Sequence, residues 1–233
     1  SYVNLLDNGN VDLKHLEELL SSNSRSLVSL MHANNEIGNL LSLEVVGELC
    51  KKYDAIFHSD TVQTMGHYKH DLQNLNVHFI TCAAHKFHGP KGIGFLYVNH
   101  QIKIKPFIYG GSQERNMRGG TENVYGIAGL AKALEIAYEH MDEHQNHIQS
   151  IKDYFINKLK ETIPGVTFNG NSGAESLYTV LNVLFPKTDN AEMLLFNLDI
   201  AGISASGGSA CTSGSNQGSH VLRGLKVDQE RPS

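Results

Sequence analysis

The stretch TCAAHKFHGPKGIGFLYV, residues 81–98, sets His85 and Lys86 between two apolar runs and then turns through Gly89, Pro90 and Gly92. An apolar run that stops at charged residues and a Gly-Pro turn reads as a buried strand ending at one edge of a sheet. Working outward, SLVSLMHA (26–33), AIFHSD (55–60), VHFITCA (77–83) and GIGFLYV (92–98) read as strands. Between them LSLEVVGELCKKY (41–53) reads as an amphipathic helix with Leu43, Val46 and Cys50 on one face, and Asp12 caps a further helix over 12–20. Helices alternating with short apolar strands predict an α/β fold, a mostly parallel sheet covered by helices. Such sheets bind ligands at the carboxyl ends of their strands. His32 to Asn34, Asp60, and the His85-Lys86 pair all fall there.

The texture changes after Thr121. Residues 121–163 read as a long helical stretch bending near 141, followed by strands at 166–170 and 178–186 and a helix at 190–202. A Gly/Ser-rich loop, SASGGSACTSGSNQGSH, comes next. This order predicts a smaller α+β C-terminal domain over 141–233, with 1–140 forming part of a larger domain.

Bulk composition narrows the function classes. At 233 residues, 40% hydrophobic and 18% charged, the chain is long and apolar enough to bury a core. The net charge of −5, with no basic block, argues against nucleic acid as a partner. No apolar run has the length of a membrane span, and three cysteines without paired spacing point to a reducing compartment, the cytoplasm. Both termini read as cut, so the chain is expected to be an internal piece of a longer protein.

Three residues stand out for chemistry. Asp60, directly after an apolar strand, either caps a turn or aims a carboxylate at a cationic group, with Gln63 three residues on to share the same ligand. Lys86 at a strand end is partly desolvated, which favours the free, nucleophilic amine, and His85 adds a flat titratable ring. A lysine for a Schiff base and an acid for a ring nitrogen suit pyridoxal phosphate. Cys50 and Cys82 lie in apolar patterns and read as packing residues, whereas Cys211 lies among small, flexible residues and is the best candidate for a reactive thiol. The many histidines raise a metal site as a rival, but no Cys-x-x-Cys is present and none is expected.

The motifs HANNEIG, HSDTVQTMG, AHKFHGPKGIG, GGSQERNMRGGTENV and SGGSACTSGS follow one another along the chain. In that order they closely resemble the cysteine desulfurases, a branch of the class V, fold-type I pyridoxal-phosphate enzymes. The resemblance implies conversion of L-cysteine to L-alanine, with sulfur passing to an enzyme cysteine as a persulfide for iron–sulfur assembly or other acceptors. It implies that Lys86 forms the Schiff base, Asp60 meets the pyridine nitrogen and Gln63 the phenolic oxygen. His85 lines the cofactor site, Asn34 lies near cofactor and substrate carboxylate, and Cys211 carries the persulfide. Thr121 matches a hydroxyl that reaches the cofactor phosphate of a partner subunit, so the resemblance implies a homodimer. A long cysteine loop implies a protein sulfur acceptor.

Two departures are visible. Ala83 stands where most relatives place a phosphate-binding serine, a loss of about 1 kcal/mol of hydrogen bonding. Nothing in residues 1–25 matches the family's phosphate cup or its ring-stacking histidine, and the arginine that pairs with the substrate carboxylate in relatives falls beyond Ser233. Selenocysteine lyases and aminotransferases of the same class, or a catalytically silent scaffold, are the alternative readings; Cys211 discriminates, because an aminotransferase has no need of it.

Overall fold

Four short strands lie side by side in chain order. In the computed structural model, residues 1–173, 175–188, 193–207, 219–225 and 232 are described. The chain divides into two compact units, one of Leu20–His32 and Ser42–Met141, the other of Ser1–Leu19, Ala33–Leu41 and Asp142–Ser233.

The first unit holds β1 (Leu27–Met31), β2 (Ile56–Asp60), β3 (Phe79–Ala83) and β4 (Gly94–Val98), in the order β1-β2-β3-β4. β1, β2 and β3 run parallel, with Met31 opposite Asp60 and Asp60 opposite Thr81. β4 runs antiparallel to β3, with Ala83 opposite Gly94. The sheet is therefore mixed but mostly parallel. Alternate residues Phe57 and Ser59 of β2, and Ile80 and Cys82 of β3, are buried, as the two-residue period of a strand demands.

α1 (Leu13–Ser22) precedes the sheet. α2 (Leu43–Lys52) turns Leu43, Val46, Gly47 and Cys50 inward. Its start is fixed by Ser42, whose hydroxyl accepts from the Val45 N–H, and Glu44 in the first turn and Lys51 and Lys52 in the last complement the helix dipole. A single turn, α3 (Gln113–Asn116), contains left-handed residues at Glu114 and Arg115. α4 (Val124–Glu139) is capped by Asn123, whose side chain accepts from the Gly126 N–H at 3.1 Å. The expected bend near 141 is found at His140, after which α5 (Met141–Thr162) begins.

In the second unit α5 accompanies the two-stranded antiparallel pair β5 (Thr167–Phe168) and β6 (Val183–Leu184), then α6 (Leu194–Ile200) and α7 (His220–Gly224). Its core includes Ile156, Leu159, Leu177, Tyr178 and Leu184. The strand expected over 178–186 is shorter than the apolar run that predicted it. Val180 N–H donates to the Leu177 carbonyl, a turn that removes residues 177–180 from any ladder. Leu177 N–H pairs instead with the Gly38 carbonyl at 2.7 Å. Lys152 of α5 is buried, and its Nζ donates to Ser176 Oγ at 2.7 Å and to the Leu177 carbonyl at 3.0 Å. Burial lowers its pKa from the usual lysine value. No helix among the described residues is long and apolar enough to cross a membrane.

Candidate active site

The carboxyl ends of β2 and β3 are adjacent because the two strands are parallel neighbours; β2 ends in an ionisable side chain and β3 leads into a turn that carries two. β2 ends at Asp60, whose half-buried carboxylate accepts from the Val62 N–H at 2.9 Å through Oδ1. Asp60 Oδ2 makes no hydrogen bond among the described residues. The chain then enters a tight turn in which Met65 N–H donates to the Thr61 carbonyl at 2.8 Å, and the fully buried Thr61 hydroxyl donates to the Thr81 carbonyl of β3 at 2.8 Å. Gln63 rides on this turn, half-buried, and its amide has no hydrogen-bond partner among the described residues.

β3 ends at Ala83 and passes into a single 3-10 turn, Ala84–Phe87, that carries His85 and Lys86. Sequence reasoning placed the lysine at a strand end held by the Gly-Pro-Lys-Gly turn; the structure inserts this helical turn before it. The turn is pinned at three points. Ala84 N–H donates to the Ile93 carbonyl at 3.1 Å, and Gly89 N–H to the Ala84 carbonyl at 2.9 Å. His88 adopts a left-handed conformation, φ 65°, which reverses the chain there. Phe87 is buried, so its neighbour Lys86 is directed from an anchored residue, half-buried and with no hydrogen-bond partner for Nζ among the described residues. His85 is exposed. Thr121 is exposed too, two residues before the cap of α4, and α4 packs against the lysine turn.

Behind this edge lies a polar cluster that sequence reasoning did not assemble. His32 N–H continues the β1–β2 ladder by donating to the Asp60 carbonyl at 2.9 Å. Its ring Nδ1 is 2.8 Å from the hydroxyl of the fully buried Thr64 and 3.2 Å from Nε2 of His70, which is itself 3.2 Å from the same hydroxyl. Burial and the neighbouring His70 lower the His32 pKa to about 4, with the Glu44 carboxylate opposing, and burial lowers that of His70 as well. Both rings are therefore neutral near pH 7. Alternating strand residues gave no hint of the cluster, because its members come from a strand end, a turn and a loop.

Asn34 belongs to the other unit. Its side-chain oxygen accepts from the Glu36 and Ile37 N–H groups at 2.9 and 3.0 Å, which fixes the carboxamide on the turn 34–39. Cys211 lies outside the described residues. Cys50 and Cys82 are buried, and burial pushes their thiols up to about 11 and about 12. They are packing residues.

The site chemistry is thus a primary amine, a carboxylate oriented by a backbone N–H and a carboxamide, all at one sheet edge. An amine, a carboxylate and an amide donor are the chemical types that a pyridoxal-phosphate site requires.

A family model described as aminotransferase class-V matches residues 1–227. The chain is 42% identical over 226 residues to a putative cysteine desulfurase, IscS 1, of Bacillus subtilis (strain 168), covering 97% of this chain and 59% of that protein. A NifS-like protein from Rickettsia africae ESF-5 superposes with a TM-score of 0.86 at 35% identity, covering 98% of this chain and 60% of that one. SspA in complex with cysteine superposes with a TM-score of 0.79 at 29% identity over 99% of this chain and 62% of that one. The chain thus spans about three-fifths of the length of each.

Proposed function

We propose that this chain, which belongs to the aminotransferase class-V family, carries the lysine and the nucleophile of a pyridoxal-phosphate-dependent cysteine desulfurase. The observation that carries the reading is that Asp60 ends β2, Gln63 rides on the turn after it and Lys86 lies in the turn after the neighbouring parallel strand β3, their polar atoms Oδ2, amide and Nζ unpartnered among the described residues. Similarity to desulfurases, and to a protein whose structure contains cysteine, supports the substrate class.

Bound pyridoxal phosphate supplies the electron sink that lets the substrate α-carbon lose its proton. Lys86 Nζ would hold the cofactor's aldehyde and, as a free amine, would take and return the substrate α-proton. Asp60 would meet the ring nitrogen, Gln63 would donate to the phenolic oxygen, and His85 would line the cofactor site. The fixed carboxamide of Asn34 meets the substrate carboxylate. Thr121 offers its hydroxyl to the phosphate in a second copy of the chain, which makes the functional unit a homodimer. Cys211, as thiolate, attacks the substrate sulfur. An S–S bond forms as the C–S bond breaks, its electron pair stays with the three-carbon fragment, and that fragment takes up protons and leaves as L-alanine. The persulfide sulfur then passes to a protein acceptor or iron–sulfur scaffold in the cytoplasm. On this reading residues 1–140 belong to the large cofactor-binding domain and 141–233 form the small domain bearing the cysteine loop.

Borohydride reduction of the full-length protein followed by peptide mass mapping tests the assignment. A pyridoxyl adduct is expected on Lys86, and Cys211→Ser should keep that adduct while losing persulfide and alanine formation. A folded protein with no adduct overturns the reading.

A further inference from the structure

Gln63 stands between two threonines, Thr61 and Thr64, each fully buried at 0% exposure. Thr61 is bound to β3 twice: its N–H and its hydroxyl both donate to the Thr81 carbonyl, at 3.1 and 2.8 Å. Thr64 is the centre of the turn that follows. Its N–H donates to the Thr61 carbonyl at 2.9 Å, and its own carbonyl accepts from the His67 and Tyr68 N–H groups at 3.0 and 2.9 Å. Its hydroxyl meets the end of β1 at His32 Nδ1, 2.8 Å away, and His70 Nε2 lies 3.2 Å from both of those atoms. The amide of Gln63 makes no hydrogen bond among the described residues, so its direction follows from where the two threonines hold the backbone.

A buried hydroxyl between two imidazoles is a costly way to fill such a place. Each group has to be hydrogen-bonded to be tolerated, and an apolar trio of the same shape would be about as stable. What the polar trio adds is direction. An apolar contact lets a turn slide, whereas the His32–Thr64 bond weakens steeply as its distance or angle drifts. The His32 N–H also donates to the Asp60 carbonyl at 2.9 Å, so one residue grips both the strand that ends in Asp60 and the turn that carries Gln63. On its far side the turn closes on the segment that bears the lysine. Gly66, at φ +79°, lies where an added Cβ would come within 2.8 Å of Phe87 Cβ.

We propose that His32 and Thr64 are positioning residues for the Gln63 carboxamide. Through the imidazole–hydroxyl bond they fix the turn 61–68 against β1 and hold that amide toward the phenolic oxygen of bound pyridoxal phosphate. The inference rests on the pyridoxal-phosphate reading of the site. An amide donor at that oxygen favours the deprotonated, more negative form of the chromophore on Lys86. A slack turn weakens the donor and therefore raises the pH at which the chromophore titrates.

The test uses full-length protein with its cofactor, as wild type, Thr64→Val, Thr64→Ser, Gln63→Ala and the double variant Thr64→Val/Gln63→Ala. The readout is the titration midpoint of the chromophore, from absorbance against pH. Thr64→Val keeps the shape and drops the hydroxyl; it should raise the midpoint by about half a pH unit, a roughly threefold change in the ionisation constant. Thr64→Ser keeps the hydroxyl and should stay within about 0.2 unit of wild type. Gln63→Ala should raise the midpoint by about one unit, and adding Thr64→Val to it should move it by less than about 0.2 unit more. His32→Phe keeps a ring and removes its nitrogens; it should behave as Thr64→Val does, and it carries the test where Thr64→Val does not fold. A wild-type midpoint in folded Thr64→Val or His32→Phe overturns the proposal. So does a Thr64→Val shift that adds in full to that of Gln63→Ala, since the hydroxyl would then act by another route. Wild-type protein that shows no chromophore refutes the pyridoxal-phosphate reading, and this proposal with it, a result told apart because no variant is involved.

Discussion

His67 Nε2 lies 3.1 Å from the backbone carbonyl oxygen of Lys86, joining the loop after β2 to the turn that presents the lysine. The imidazole donates here, which fixes its tautomer with the proton on Nε2. Asp60 and Gln63 are on one side of that bond and Lys86 on the other. The three side chains therefore share a common backbone reference. Replacing His67 by Ala removes one hydrogen bond, about 1 kcal/mol. Cofactor affinity in the full-length protein should fall about fivefold, with His67→Gln intermediate, as measured by spectrophotometric titration. Unchanged affinity in His67→Ala would show that the turn holds itself.

The neutral His32–Thr64–His70 cluster predicts acid sensitivity. His32 titrates at its ordinary 6.5 in the unfolded chain and at about 4 in the folded one. Above 6.5 both states are neutral and the group contributes nothing to pH dependence. Between 6.5 and about 4 the unfolded state binds the extra proton, so stability falls as the pH is lowered, by up to about 3 kcal/mol from this residue. His70 shifts in the same direction and adds to the slope. Urea unfolding at pH 7.5, 6, 5 and 4 should show the decline, and His32→Gln should flatten it.

The strand carbonyls leave no room for a side chain at residue 94. A Cβ added to Gly94 would run into the backbone carbonyl oxygen of Cys82, a group that cannot swing aside. Gly94→Ala should therefore cost about 2 kcal/mol or more, through forced displacement of the β3–β4 pair. Because Ala83 pairs with Gly94, the displacement reaches the root of the lysine turn. Thermal unfolding and cofactor titration of the same variant should both register it.

Thiol chemistry separates the three cysteines. With pKa values raised to about 11 and about 12, Cys50 and Cys82 are almost wholly protonated at pH 8. Iodoacetamide under native conditions should modify Cys211 at least tenfold faster than either, by peptide mass mapping. Equal rates at all three would remove the chemical basis for Cys211 as nucleophile.

Much of this was legible in the chain. The strands at 27–31, 56–60, 79–83 and 94–98 lie inside the apolar runs that predicted them, because each run is bounded by polar or glycine residues that stop a ladder. The break between α4 and α5 was readable from the polar run that begins at His140. Composition could not reveal that 177–180 is a turn, since Leu177 and Tyr178 are apolar for packing reasons and are buried outside any strand. Nor could it reveal the asparagine network of the second unit. There Asn39 Nδ2 donates to Asn10 Oδ1 at 2.7 Å and the Asn171 N–H to Asn39 Oδ1 at 2.7 Å. Those partners are far apart in sequence and their amides carry no periodicity. Glu36 was read as part of a motif, but its bond to Ser219 spans 183 positions and leaves no local signal.

The reversal of β4 against β3 bears on the order in which the molecule assembles. Only the ten residues Ala84 to Ile93 separate these strands, so their pairing closes a short loop at small entropic cost. β1 and β2, being parallel, come together only after the chain has crossed through α2. The hairpin that carries Lys86 is therefore expected to pair before β1 joins β2. Pulse-labelled hydrogen exchange during refolding should protect the amides of 79–83 and 94–98 before those of 27–31. During synthesis β1 and β2 emerge first, so Asp60 and His67 are already outside the ribosome when the hairpin that carries Lys86 closes.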